Sequence, residues 1–412
     1  MYEARRLLDL ILFLNALAFG AVLPLLYYII IILPDAIWIG LLFAVDALGR
    51  ILGGALIERL QNHLGTKPSL ILTQAIMILS YVLLCAIGHF QITHTAAITV
   101  VYVSRFIGSF ATTGFPSAGS LFQRISPRFT APRAGLLTMI GFIAGCALAM
   151  PGNGQRVLIS IFETGGLTRA AEFAALISCI ALLIACWMPT IGEESGSADG
   201  PACAFNSTPG LALTLLCEAA FGMTLCVLPL MARKTYFFTP TNIAMLLGGA
   251  ALVSQTVRGL ARRVSETPGT LMLTNLGILC AGLGFAGFVT ALKLSWVSSW
   301  HSHPMDGMKI GYWLVWISSL PAAIGHGLLR ASLPSILIKS GETPRHPQAV
   351  LRFDQLCAMI CGVSALLAAA MWLGHERSSF AIPGLLTALA LPLGAYSSVI
   401  APKPVRSESM TR

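Results

Sequence analysis

The chain has 412 residues, 56% of them hydrophobic and only 10% charged, with a mean hydropathy of +0.79 and a formal net charge of +9. A soluble domain carries about 25% charged residues, so this composition excludes a water-soluble globular protein and makes the bilayer its solvent. The basic balance would suit nucleic acid, but the placement of the charges excludes that partner.

Apolar runs of about 20 residues recur along the whole length, enough to cross the hydrocarbon core. There the backbone must satisfy its own hydrogen bonds, so such runs are helices; the alternating pattern of an outer-membrane barrel is absent. Twelve spans are predicted, near residues 7–31, 36–57, 69–88, 95–121, 133–152, 170–189, 210–231, 242–260, 271–292, 310–337, 349–372 and 381–401. With the N-terminus inside and span edges placed to about four residues, 16 of the 26 Lys and Arg, Arg258 among them, fall on the inner side, 7 outside and three, Arg50, Arg105 and Arg330, within spans. That is the positive-inside pattern of a plasma (inner) membrane protein with both termini cytoplasmic. The first span follows Arg5 and Arg6 yet runs apolar for about 25 residues, beyond the roughly 7–15 of a signal-peptide core, and is read as retained.

The first span, "FLNALAFGAVLPLL", places Asn15 among apolar residues. On the second, Asp46 and Arg50 are spaced i, i+4 and can meet on one face. They either neutralise each other for insertion, or Asp46 stands in a central cavity as a protonation site. The stretch "GALIERLQNHLGTKPS" then supplies Gly54, Glu58, Arg59, Gly65 and Lys67, read as an inner loop over 58–68. A Glu–Arg pair beside helix ends can exchange partners when neighbouring helices move.

The fourth span, "VYVSRFIGSF", carries Arg105. A guanidinium at the centre of a lipid-facing helix costs roughly 2.5–3.5 kcal/mol on insertion scales. Gly108 and Thr112, at i+3 and i+7, share its face, and such a strip suits a water-filled cavity. Arg105 would there bind an anionic group or pair with a carboxylate that loads and releases a proton; the alternative is a static ion pair between helices. On the fifth span, "GLLTMIGFIAGCALAMPGNG", Gly141, Gly145 and Ala149 form a small-residue ridge for close packing, followed by Pro151 and Gly152.

The stretch "TIGEESGSADGPACAFNSTPG" breaks the composition, being acidic, small and rich in Gly, Ser and Pro. It divides the chain into a six-span bundle (1–190), a cytoplasmic linker (191–209) and a second bundle with a short tail (210–412). The halves echo each other: "LNALAFGAVLPLL" opens the first and "CEAAFGMTLCVLPLM" the seventh span, while "GFPSAGSLF" and "ASLPSILIK" share a proline near the inner ends of the fourth and tenth. Repeats of this kind place a binding site at the midplane between the halves.

Glu218 on the seventh span lies about 8 residues, roughly 12 Å, from the inner end and mirrors Asn15. Trp313 and Trp316 enter the tenth helix within reach of the cavity. His326, Arg330 and Asp354 lie nearer the cytoplasmic face, where snorkelling or interfacial pairing accounts for them. His301 and His303 form a lone H-x-H, too little to assign a metal. The ten cysteines fall mostly within spans as buried apolar residues, without a zinc-type pair or a disulfide framework.

These residues resemble the major facilitator superfamily, most of all its twelve-helix drug:proton antiporter branch. The first span resembles F-L-D-A-x-G-x-G-x-x-x-P, with Asn15 where many members have aspartate. The second span and its loop resemble G-x-x-x-D-R-x-G-R-K, with Glu58 replacing Asp and Gly65 and Lys67 about three residues late. The fourth resembles the R-x-x-x-G region with its glycine, Gly108, one residue early; the fifth lacks the tight Gly-Pro pair. The resemblance implies an all-α fold of two pseudo-symmetric six-helix bundles and a monomer without cofactor. It implies proton-coupled efflux of a small molecule by alternating access, with Glu218 as substitute coupling residue for the lost aspartate. Uptake of a sugar, carboxylate or amino acid by proton symport or facilitated diffusion, and a transport-inactive receptor or scaffold, stay open. An intramembrane enzyme would need His, Asp or Glu clustered at one depth, and the sequence has no such cluster.

Overall fold

Long apolar runs free of helix breakers give long helices. The computed structural model describes residues 2–32, 36–89, 94–112, 131–149, 166–189, 208–238, 240–264, 270–298, 304–337, 347–374, 382–390 and 392–393. The helices are α1 (Tyr2–Ile32), α2 (Ala36–Leu64), α3 (Thr66–His89), α4 (His94–Thr112), α5 (Ala131–Ala149), α6 (Gly166–Trp187), α7 (Thr208–Tyr236), α8 (Pro240–Val264), α9 (Thr270–Ser298), α10 (Pro304–Leu337) and α11 (Pro347–Gly374). Residues 382–390 are also helical. Three helices open on proline, whose missing N–H is no loss in a first turn. Eight of the described helices contain a stretch long and apolar enough to cross a membrane.

The expected loop over 58–68 is not a loop. Nothing in "ALIERLQNHL" breaks a helix, so α2 continues to Leu64, and the three extra residues of the family comparison add nearly one turn to it. Gly65 alone separates α2 from α3, at φ 87, a left-handed conformation that glycine adopts without a Cβ penalty. Its carbonyl accepts from the Ser69 hydroxyl at 2.8 Å, which ties the turn to α3. At the end of α7, Phe237 takes a φ of 52 and the Phe238 N–H donates back to the Ala232 carbonyl, six residues earlier, at 3.0 Å, which closes the end of the helix.

Lipid tails are as apolar as leucine, so helices in a bilayer gain by close backbone approach rather than by escape from solvent. α1 packs against α5 and α6, α3 against α4 and α6, and α2 against α4. In the later part, α9 and α8 pack on α10 and α7 packs on α11. The α1–α5 seam shows why the sequence needs small residues there: a Cβ on Gly145 would run into the Leu17 carbonyl and the Ala21 nitrogen, and one on Gly20 into the Phe142 carbonyl. Pro151 and the His301–His303 pair lie outside the described residues.

Contact between the earlier and later helices runs along α2 and α11 and where α8 meets α5 and α1. α7 is buried along most of its length. Large apolar side chains such as Leu183 and Ile317 instead face outward, 67% and 65% exposed, as a lipid-facing wall requires. Trp313 joins that wall at 63% exposure and does not reach inward, while Trp316 stacks on Phe238.

Candidate functional site: two ion networks inside the helices

Asp46 on α2 is the hub of the first network. Its Oδ2 lies 2.9 Å from Arg50 Nε, one helical turn on, and its Oδ1 lies 2.6 Å from Arg105 Nη2 on α4. The Ser109 hydroxyl, also on α4, donates to the same Oδ1. One carboxylate thus takes two guanidiniums and a hydroxyl, with Arg105 also 6.0 Å from the centre of the Phe19 ring. Pairs of this kind are stronger than neutral hydrogen bonds and fix orientation.

Arg105 is held in place from behind by α3. Ser80 and Ser104 donate to each other's backbone carbonyls at 2.9 Å, and Gly108 lets Ser80 approach α4 closely. The result is a cleft among α1 to α4, bounded by Arg50, Arg105, Ser109 and Thr112 on its polar side and by Phe19, Met77 and Tyr81 on the other. Arg105 is 18% exposed there and Arg50 36%.

The second network ties four helices together. Arg330 on α10 grips Glu218 on α7, its Nη2 donating to Oε2 at 2.8 Å and its Nε in ion-pair contact with Oε1 at 2.7 Å. Glu218 is 1% exposed. Arg330 Nη1 and Arg258 Nη2 on α8 both reach Asp354 Oδ1 on α11 at 3.4 Å. One turn before Arg330, His326 Nδ1 lies 2.9 Å from the Ser254 hydroxyl of α8 and its ring packs 4.3 Å from Phe221. Arg330 and His326 are therefore interior groups; snorkelling to the membrane face does not describe them. Arg258 was counted above with the inner-side cations, and its place in this network was not foreseen.

The sequence-predicted residues thus fall into separate places. Asp46, Arg50 and Arg105 meet in one network, and Glu218 belongs to the other. Asn15 on α1 is 2% exposed, and neither end of its amide has a hydrogen-bond partner among the described residues. Gly54 faces the side chain of Gln355 on α11, whose amide donates to the Ile51 carbonyl at 3.3 Å, so this end of α2 is a contact with the later helices. Arg59 is exposed and Lys67 half-buried; the Glu58 side chain lies outside the described residues. The repeated Phe-Gly pair occupies like surroundings in both halves. Phe19 packs by Arg105 and Gly20 against α5, whereas Phe221 packs by His326 and Gly222 against Cys361 of α11. Among the described residues no group of three or more His, Cys, Asp or Glu is placed to hold a metal.

No family model and no curated protein matches the chain. Solved structures do. A mutant of the nucleoside transporter NupG is 15% identical with a TM-score of 0.67 over 97% of this chain and 100% of its own. Another structure of NupG gives 14% and 0.60 over 97% and 99%. The human organic anion transporter MFSD10 (TETRAN) gives 16% and 0.59 over 95% and 99%. The likeness extends over nearly the whole of each chain: the protein shares the fold of these transporters, and its helices long and apolar enough to cross a membrane make it a multi-pass membrane protein.

Proposed function

We propose that the protein is a secondary transporter that carries a small molecule across the plasma (inner) membrane by alternating access. In this reading its twelve helices form two pseudo-symmetric six-helix bundles, residues 1–190 and 210–412, joined by the linker 191–209, with both termini cytoplasmic. It works as a monomer, has no enzymatic role, and opens the central site to each side in turn as the bundles rock. The observation that carries this is the pair of ion networks drawn inward from α2, α4, α7, α8, α10 and α11. Ionisable groups at such depth are costly, and they mark substrate or ion pathways. The repeated Phe-Gly surroundings support the relation between the halves.

Proton-coupled export is the mode of energy coupling we assign, with Glu218 and Asp46 as the proton-exchanging groups. Each carboxylate is gripped by a guanidinium on another helix, so protonation weakens a bond that crosses a helix boundary. The two fold neighbours named for a cargo carry different ones, a nucleoside and organic anions, so cargo must be argued from this chain's own charges. Reconstitution in liposomes with an imposed pH gradient tests the reading. Solute-stimulated proton flux that disappears in Glu218→Gln or Asp46→Asn is expected. Solute movement indifferent to the gradient would overturn the coupling, and no solute movement at all would overturn transport.

A further inference from the structure

We propose that the Asp46–Arg50–Arg105 cluster binds the anionic group of the transported molecule, which makes the cargo an amphipathic organic monoanion. This rests on the transport reading above and deepens it.

The first ground is charge balance. In the network of α7, α8, α10 and α11, two carboxylates (Glu218, Asp354) meet two guanidiniums (Arg258, Arg330). In the network of α2 and α4, a single carboxylate meets two. Both Asp46 oxygens are already engaged, Oδ2 by Arg50 and Oδ1 by Arg105 and Ser109. The cluster therefore holds one positive charge that no described acidic side chain answers. An unanswered charge away from bulk water is unfavourable, and a ligand carboxylate, sulfonate or phosphonate monoanion removes the imbalance. Guanidinium N–H groups also match the two oxygens of such a group in geometry.

The second ground is a polar group that points to the same kind of ligand. Tyr81 of α3 is 4% exposed, and its hydroxyl is buried with no hydrogen-bond partner among the described residues. It borders the cleft that Arg50, Arg105 and Ser109 line. A phenol there is a donor in search of an acceptor, since buried hydroxyls are normally bonded. The remaining wall is apolar, with Phe19, Val22, Met77 and Leu84; the cleft holds only about 20 Å³ in this conformation, so the hydrocarbon part of an amphipathic molecule enters it as the helices part in the transport cycle proposed above. A cation would meet like charge, and a neutral molecule would leave the surplus in place.

Binding to the purified full chain in lipid nanodiscs, measured by isothermal titration, tests the assignment. The probes share one ring: benzoate, benzenesulfonate and phenylphosphonate against neutral benzamide and cationic benzylamine. At least one anion is expected to bind about tenfold or more tightly than benzamide, and benzylamine most weakly. Arg105→Gln should abolish the preference for anions. Asp46→Asn, which removes the internal competitor for both guanidiniums, should tighten anion binding; a merely structural lesion would weaken it. Tyr81→Phe should weaken anion binding several-fold and leave benzamide unaffected. Equal binding of all five probes, no anion binding better than benzamide, or anion binding weakened by Asp46→Asn would each overturn the proposal. Flux in liposomes separates the two readings: transport without charge-selective binding overturns the cargo class and leaves transport intact. Charge-selective binding without benzoate, benzenesulfonate or phenylphosphonate flux supports the anion site and counts against transport.

Discussion

Replacing Arg330 by leucine probes the second network directly. Glu218 is 1% exposed and meets this one guanidinium in a hydrogen bond at 2.8 Å and an ion-pair contact at 2.7 Å. Without it the carboxylate stays buried with no cation in contact, whereas Asp354 keeps Arg258 at 3.4 Å. Removing one partner of a buried pair costs about 3–5 kcal/mol, because the other charge is left without compensation. The double variant Glu218→Leu/Arg330→Leu removes both charges and fills the space with apolar volume, so it should lie within about 1–2 kcal/mol of the parent, since such replacements are often neutral or stabilising. The two single variants and the double form a cycle, read by reversible unfolding in mixed micelles of sodium dodecyl sulfate with tryptophan fluorescence as the signal. The coupling is the sum of the two single-variant costs less that of the double, so at least about 2 kcal/mol is expected. If Arg330→Leu alone proves as stable as the double variant, Glu218 is not stranded by the loss of Arg330, and the pairing described here is wrong.

Gly145→Val should lower folded yield and thermal stability by about 1–3 kcal/mol, as overpacking a tight seam does, because its side chain meets the Leu17 and Ala21 backbone; unchanged stability would contradict the α1–α5 seam. Ser109→Ala removes a donor to an ionised group and should cost about 1.5 kcal/mol in the same unfolding assay. Gly54→Leu places its side chain where Gln355 now packs against α2, so solute flux in liposomes should slow while the protein still folds. A flux equal to that of the parent would show that this contact has no part in the cycle.

The positions of the eight described spans were legible because each is a local sum: about 20 apolar residues suffice, whatever surrounds them. The turn after α2 was not, because a family signature was set above local propensity. Glu, Arg, Leu and Gln between Gly54 and Gly65 are good helix formers, and the chain follows them. The α2–α11 contact was hidden for another reason. Gly40 meets Ala369 and Gly362 meets Ala47, yet a small residue on a membrane helix does not name its partner. Only the backbone path brings together positions more than 300 residues apart.

The site divides along the same line. Asp46 and Arg50 could be paired from spacing alone, since a separation of four closes one helical turn. The grip of Arg330 on Glu218 spans 112 residues and has no local signature. Arg258 was missed because it precedes Arg262 and Arg263 and was counted with that basic inner end, although it lies a full turn deeper on α8. Restored to the interior, it completes the sum over the two networks: Asp46, Glu218 and Asp354 against Arg50, Arg105, Arg258 and Arg330, one guanidinium in excess. Neither the excess nor its location can be read without coordinates, because the predicted spans also carry Asp9 and Glu172 and a misassigned partner would move the surplus to the other half of the chain. Since Glu218 and Asp354 together answer Arg330 and Arg258, the unmatched charge falls to α2 and α4, beside the cleft and the unpartnered Tyr81 hydroxyl.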